Sequence, residues 1–281
     1  MLLVASGFTA SRSRAQALIR AGRVRVDGKL VDKPGTRVST SAQLGVHTPP
    51  RYVSRGGEKL EAALSAFDLD PGGLVCLDVG ASTGGFTDCL LQHGAARVYA
   101  VDVGKGLLDW KLRNDPRVVV REGLNARYLD TQHIPEAVAL AAVDVAFISL
   151  RLVLPPIEPL LNPKGEVLAL VKPQFEAGRS QVRRGGVVWD PQVHLEVLES
   201  LRTFVAEKLG WAVSNAVASP LPGPAGNLEF FLRLSSVREE STDADLDFTT
   251  LVNRAHSQLA RSPGSPAQRE SEQGGGSAAP L

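Results

Sequence analysis

Residues 74–88, LVCLDVGASTGGFTD, constrain the fold more than any other stretch of this chain. Leu74 to Val79 is an apolar run of the length of a buried parallel strand. Gly80, Gly84 and Gly85, with Ala81, Ser82 and Thr83 between them, make a tight loop, and Phe86 to His93 reads as a helix. Strand, glycine turn and helix in that order open an α/β sheet, and a turn without Cβ atoms lets a ligand reach the backbone. The spacing G-x-x-x-G-G is not the G-x-G-x-x-G of a dinucleotide fold. It is not a phosphate loop either, because Phe86 stands where such a loop needs lysine. A second predicted strand, Ala96 to Val101, ends in Asp102, about 20 residues past the loop, where a carboxylate suits a ribose diol. An adenosine ligand without a pyrophosphate meets both facts, and S-adenosylmethionine is the usual one. A plain strand–turn–helix is the alternative.

The rest of the chain extends this pattern. Val118 to Val120, Val138 to Val143, Glu166 to Val171, Ala212 to Val217 and Leu228 to Leu234 read as further strands, giving a mostly parallel sheet of seven. Helices are predicted from Glu58 to Phe67 and from Pro191 to about Leu209, the latter with Asp190 as N-cap. Val153 to Leu161 can be only a short or irregular helix, because it holds Pro155, Pro156 and Pro159. Ligands of open α/β sheets lie beyond the carboxyl ends of the strands, where Asp102, Asp144 and Lys172 fall. Asn125, in the loop GLNAR, either reaches an adenine edge or serves the turn. Asp144, Lys172 and Glu229 border strands where apolar neighbours are expected. Lys59 lies off the apolar stripe of its helix (Leu60, Ala63, Leu64, Phe67), so helix position alone makes it a solvated lysine. Together these four make two cations and two anions around one cleft. Buried charges need partners, so they form either a structural ion-pair network or a site that moves a proton.

Charge is uneven. Residues 1–60 hold 11 Lys or Arg against three Asp or Glu, a net of +8, which leaves −7 for the remainder of a chain whose total is +1. Such asymmetry suggests a nucleic-acid-binding arm or a solvated basic face. Thr9 to Ala21 has helical spacing, Arg23 to Val26 alternates like a strand, Asp27-Gly28 signals a hairpin, and Leu30-Val31 and Thr36 to Val38 read as short strands. Glu176 to Val187, EAGRSQVRRGGV, is a glycine-rich basic loop suited to substrate, with Arg183 and Arg184 placed for phosphates. From residue 235 the chain is polar, and from about 262 its composition predicts disorder. The two cysteines, Cys76 and Cys89, are too few for a disulfide framework. No apolar run approaches the roughly 18 residues that span a bilayer, and the first residues lack a signal-peptide layout. A cytoplasmic monomer is expected. The five histidines show no metal-ligand spacing, and no metal is expected.

The stretch from Ser11 to Gly28 matches S-R-x-x-A-x-x-L-I-x-x-G-x-V-x-V-[DN]-G and resembles the αL RNA-binding module first known from a ribosomal small-subunit protein. It departs from that module at the start, where only Leu2 to Gly7 remains of an opening Asp-x-x-Leu helix. Residues 52–234 resemble the TlyA family of rRNA 2′-O-methyltransferases, whose catalytic domain is FtsJ-like. The matching stretches include YVSRGGEKL, CLDVGASTGGFTDCLL, FISL, LVKPQFEAGR and SPLPGPAGNLEFFL. The family commonly has Ser before F-I-S-L, and Ala146 stands there, which bears on a local hydrogen bond and leaves the key residues intact.

The resemblance implies a Rossmann-like S-adenosylmethionine-dependent methyltransferase domain over 55–235, a small α+β RNA-binding module over 1–46, a linker over 47–54 and a tail over 236–281. It implies a catalytic Lys-Asp-Lys-Glu tetrad at Lys59, Asp144, Lys172 and Glu229. The cofactor would meet Gly80, Ala81, Ser82, Thr83, Gly84, Gly85, Phe86, Asp102, Asn125 and Asp144. RNA would meet Arg12, Arg14, Arg20, Arg23, Lys29, Arg55, Arg183 and Arg184. The implied substrate is a ribose, of a cytidine, in rRNA within a ribosomal subunit. Lys172 is assigned as the base for the 2′-hydroxyl, and Lys59 favours its neutral form or holds the hydroxyl. Asp144 and Glu229 orient the lysines and offset the cofactor's charge. Amino-directed and carbon-5 chemistries fit less well, because strand four leads to Asp144 and FISL and both cysteines lie inside elements. A ribosome-binding factor without catalysis and a membrane-active, haemolysin-like protein are the competing readings.

Overall fold

A computed structural model describes residues 2–47, 50–183, 185–235 and 246–261. The chain divides into two compact units, 1–51 and 52–281. In the first, α1 (Leu2–Ala5) and α2 (Arg12–Arg20) accompany a three-stranded antiparallel sheet of β1 (Val24–Val26), β2 (Lys29–Val31) and β3 (Leu44–Val46), in the order β2-β1-β3. Ser11 caps α2, its hydroxyl accepting from Arg14 N. Asp27 and Gly28 both have positive φ, as a two-residue hairpin turn requires. Leu3, Ala15 and Val24 form a small core, with Leu18, Ile19, Val26, Leu44 and Val46 packed against it. The strand expected at Thr36 to Val38 is absent. Lys33 to Ser41 is a run of turns, in which Thr36 N and Oγ1 both donate to Lys33 O. The free edge of β1 is taken by β3 instead, and Asp27 fixes that register by accepting from Gln43 N at 2.8 Å.

The second unit contains α3 (Gly56–Ala66), β4 (Val75–Val79), α4 (Gly85–Gln92), β5 (Arg97–Asp102), α5 (Trp110–Arg113), β6 (Val118–Glu122), β7 (Val138–Val143) and α6 (Leu150–Val153). There follow β8 (Leu161–Val171), α7 (Pro173–Glu176), α8 (Pro191–Leu209), β9 (Ala212–Ala218), β10 (Phe230–Ser235) and α9 (Phe248–Arg261). One seven-stranded sheet runs β6-β5-β4-β7-β8-β10-β9. It is parallel from β6 to β8, and β10 runs antiparallel to both of its neighbours. Alternate side chains of each strand feed two cores. Leu77, Val79, Ala141 and Val143 face α8 and α9, whereas Cys76, Leu140 and Ala142 face α3 and α4. The proline-rich stretch from Pro155 to Leu160 is a 3₁₀ helix, as three prolines in six residues dictate.

Part of the polar tail is structured. Phe248, Val252 and Ala255 recur at helical spacing on α9 and are buried against the sheet's second face. Full burial of Phe248 and Val252 is worth about 1.5–3 kcal/mol each. The disorder expected from 262 falls outside the described residues.

Helices α8 and α9 meet through a histidine pair. His194 is fully buried, its Nδ1 2.9 Å from His256 Nε2, and its ring stands edge-on to Phe230. Burial and then His256 pull His194 down to about 4, against the opposing pull of Asp190 and the Val188 backbone. Burial also lowers His256. An unfolded histidine titrates near ~6.5, so between that pH and about 4 the unfolded chain binds the proton that buried His194 refuses. Stability is therefore expected to fall as pH drops through this window. Calorimetric melting of the parent and of His194→Phe checks this: the variant's profile should be the flatter, and parallel profiles would remove His194 as the cause.

Candidate active site

From β4 the chain builds β5 and β6 on one side, then crosses back to β7 on the other. The crevice of an open α/β sheet lies at such a switch point, and here the glycine loop leaves β4 beside the start of the loop after β7. Gly80 N and Ala81 N both donate to Val101 O, at 2.8 and 3.0 Å. Gly80 has φ +91, and a Cβ there would lie 2.3 Å from the backbone oxygen of Asp144. Only glycine lets the two loops approach this closely. On the other flank, a Cβ on Gly85 would lie 2.2 Å from Ser54 Oγ and 3.0 Å from Gly57 N. The residues leading into α3 thus pack directly on the loop. Asp88 secures that contact, its Oδ2 accepting from Val53 N at 2.9 Å. Beneath the loop, Asp78 Oδ2 accepts from Thr87 N and Oγ1. Burial pushes this carboxyl up to about 7, aided by the nearby Asp144 and Asp102 carboxylates and opposed by the bonds from Thr87.

A cavity of about 460 Å³ opens over the loop and is walled by Gly80, Ala81, Ser82, Thr83, Gly85 and Phe86 together with Lys59, Asp144, Lys172 and Glu229. The four charged residues pair off, Lys59 Nζ to Glu229 Oε2 and Lys172 Nζ to Asp144 Oδ1, each at 2.5 Å. Lys59 is 8% exposed, not solvated. Its place off the apolar stripe of α3 turns it toward the cavity instead of the core. Glu229 sits just before β10 and not within it. Because β10 runs antiparallel, its start lies at the edge where the parallel strands end. Burial raises the Glu229 carboxyl, while Lys59 and then Lys172 draw it back down.

Other expected site residues are placed differently. Asp102 lies off the cavity wall and holds the loops, accepting from Ser82 N at 2.8 Å and from Gly104 N at 2.6 Å. Asn125 is also off the wall. Its Oδ1 accepts from Arg127 N at 3.1 Å and caps a 3₁₀ turn, which is the turn role its loop allowed. Gly84, at φ +96, is the N-cap of α4. Arg55 is exposed and lines the cavity. Arg183 is exposed at the base of a hairpin closed onto Val187 through Gly185 and Gly186. Arg184 lies outside the described residues. In the first unit Arg12, Arg14, Arg20 and Lys29 are exposed and Arg23 is half-buried.

Sequence reasoning missed a second cavity, of about 370 Å³, that shares Lys172 and Glu229 with the first. Phe147, Phe175, Val182, Gly185, Gly186 and Asn227 line it. Phe147 is 90% exposed, has φ +62 and rests on Phe175 with ring centres 5.0 Å apart. A bulky residue in left-handed backbone is a rare conformation. Nothing in FISL signals it, because no glycine or asparagine marks the position. The two ion pairs therefore stand at the junction of two cavities. One lies over the glycine-rich loop, and the other is faced by aromatic rings. Two amines and two carboxylates at such a junction can accept a proton from one bound group and balance charge on another.

Residues 52–236 match the FtsJ-like methyltransferase family, and residues 1–44 match the S4 domain. The chain is 47% identical over 264 residues to the 16S/23S rRNA (cytidine-2′-O)-methyltransferase TlyA of Mycobacterium tuberculosis, covering 93% of this chain and 96% of that protein. It is 41% identical to Hemolysin A of Brachyspira hyodysenteriae, covering 80% of this chain and 93% of that one. A solved structure described as a hemolysin from Streptococcus thermophilus superposes with a TM-score of 0.72 at 40% identity, covering 92% of this chain and 95% of that one.

Proposed function

This chain belongs to the FtsJ-like methyltransferase family and carries an S4 domain ahead of it, and on that premise we propose that it methylates ribose 2′-hydroxyls of ribosomal RNA, at a cytidine, from S-adenosylmethionine. The observation that carries this reading is the set of two ion pairs, Lys59–Glu229 and Lys172–Asp144, at the junction of the two cavities. S-adenosylmethionine, when bound, supplies a sulfonium methyl. The loop from Gly80 to Phe86 would hold it, its shape fixed by Asp102 through Ser82 N. The cavity over the loop fits such a group, being walled by the loop from Gly80 to Phe86 and by the carboxylates of Asp144 and Glu229, which suit a cationic donor.

A ribose hydroxyl is a weak nucleophile near neutral pH, so a base must take its proton as it attacks. Lys172 is that base. Its amine is engaged by Asp144 in the structure; to act, it must first release its ammonium proton to solvent, after which the neutral amine takes the hydroxyl's proton. Lys59, paired to Glu229, would hold the hydroxyl. Asp144 and Glu229 orient the two lysines and offset the donor's charge. Fixing the hydroxyl in line with the methyl supplies much of the rate by removing the entropic cost of their meeting. Incubating the purified protein with methyl-labelled S-adenosylmethionine and ribosomal subunits, then mapping 2′-O-methyl positions, tests the assignment. Label found only on bases would overturn it.

The exposed arginines of α2 would bring RNA to the enzyme by phosphate contact. Changing Arg12, Arg14 and Arg20 together to alanine is expected to weaken RNA binding and to reduce the slope of log K against log salt by about 2–3. Binding titrations at several salt concentrations check this, and an unaltered slope would contradict it. The hemolysin names of two relatives favour a second reading, action on membranes. Among the described residues no helix is long and apolar enough to cross a bilayer. Leakage of liposomes by purified, cofactor-free protein would support that reading.

A further inference from the structure

Three contacts join the loop after β7 to the loop after β8. At the site end is the Asp144–Lys172 ion pair, at 2.5 Å. In the middle Phe147 rests on Phe175. At the far end the Glu176 carboxylate, its side chain 2% exposed, accepts from Leu150 N and Ser149 Oγ at 2.7 Å each and from Arg151 Nη1 at 3.1 Å. Arg151 in turn donates to Ser200 Oγ on α8 and lies over the Phe204 ring. The middle contact involves an exposed residue in left-handed backbone, and the ion pair must loosen for Lys172 to act as a base. Of the three, the Glu176 contact is the most buried, and the chemistry does not require it to break.

We propose that Glu176 is a positioning residue, which clasps the two loops in register so that Asp144 and Lys172 return to each other and to the substrate hydroxyl in each turnover. This rests on the reading of Asp144 and Lys172 as catalytic. Three charge-assisted bonds to one carboxylate make a stiff clasp. Burial raises the Glu176 carboxyl, and the bonds from Leu150, Ser149 and Arg151 oppose that rise. Without it Leu150 N, in the first turn of α6, has no acceptor, and Arg151 loses its counter-charge. The far end of the Asp144 loop then keeps its core packing through Leu150 and Val153 but loses its polar tie to the Lys172 loop. A displacement of about 1 Å at a reacting group can lower a rate by up to about a hundredfold.

The test is Glu176→Gln, which keeps size but loses charge, beside Ser149→Ala, which removes the hydroxyl's bond to Glu176 and its cap on Arg151 N without stranding a buried cation. Both are assayed well below their melting temperatures, with cofactor affinity measured by calorimetry and kcat followed against pH. Glu176→Gln is expected to lower kcat about tenfold or more and to shift its pH profile, with S-adenosylmethionine affinity within about twofold of the parent. Ser149→Ala should act in the same direction, by a smaller factor. Parent-like kcat and pH profile in both variants would overturn the proposal, and if Glu176→Gln fails to fold, Ser149→Ala decides alone. Lys172→Ala run alongside separates the two readings. If it is inactive while both clasp variants are parent-like, the clasp alone fails; if it is fully active, the catalytic reading beneath it fails.

Discussion

Replacing Lys172 with alanine is expected to lower kcat by about 10²–10⁴-fold, the range that a positioned general base contributes. S-adenosylmethionine affinity should change little, because the cradle from Gly80 to Phe86 does not depend on the amine. Lys172→Arg sharpens the test. Arginine keeps the positive charge and the means to pair with Asp144, but it does not give up a proton at accessible pH. If Lys172 serves as the base, arginine should be as inactive as alanine. If it serves only as a counter-charge, arginine should retain a substantial part of the rate. Single-turnover methyl transfer to rRNA, with cofactor binding measured separately, distinguishes the two. Arginine activity close to the parent's would sink the base assignment while leaving the fold and the cofactor cradle untouched.

Gly80→Ala is expected to be the most damaging single-methyl change in the second unit. Left-handed backbone at a non-glycine residue costs about 1–3 kcal/mol. The added Cβ would also lie 2.3 Å from the Asp144 carbonyl oxygen, and overpacking of that kind adds about 1–3 kcal/mol. Together these are a large fraction of the roughly 5–15 kcal/mol that holds a domain folded. Relief can come only by moving Asp144, so activity should be lost even in molecules that remain folded. Gly73→Ala is the matched control, with φ +72 but open space around its Cβ; it should show only the backbone term, about 1–2 kcal/mol. Urea denaturation of both variants gives the comparison, and equal losses would mean that the contact with Asp144 is not what constrains Gly80.

The strands and the glycine loop were legible because each rests on a local pattern. Apolar runs bounded by turn residues mark β4, β5, β7 and β8, and of the loop's positive-φ positions Gly80 and Gly84 fall on glycine while Ser82 does not. Asp144 and Lys172 were legible too, as charges at the ends of apolar strands. Lys59 was not, since a lysine off the apolar stripe reads the same whether it meets water or a cavity formed by residues 170 positions away. The resemblance, and not periodicity, pointed to it. Glu176 was absorbed into a basic loop, because nothing in EAGRS tells that its first side chain turns inward. Helix α9 was hidden among polar residues, its apolar stripe only three buried side chains wide. The strand expected near Val38 failed because pairing partners are chosen by the whole sheet, and β3 fits the edge of β1 better.

The reversed direction of β10 has a consequence for when the enzyme becomes competent during its own synthesis. The cradle, Asp144 and Lys172 are all in place once β8 has been made. Glu229 arrives only with the last strand, which must slide between β8 and β9 to bring its first residue to the working edge. Its partner Lys59 has by then waited through most of translation, and closing so distant a contact is a late step in folding. A growing chain can thus form the donor pocket while its four-charge set is still open. If the four charges act as proposed, methyl transfer waits until the sheet is complete.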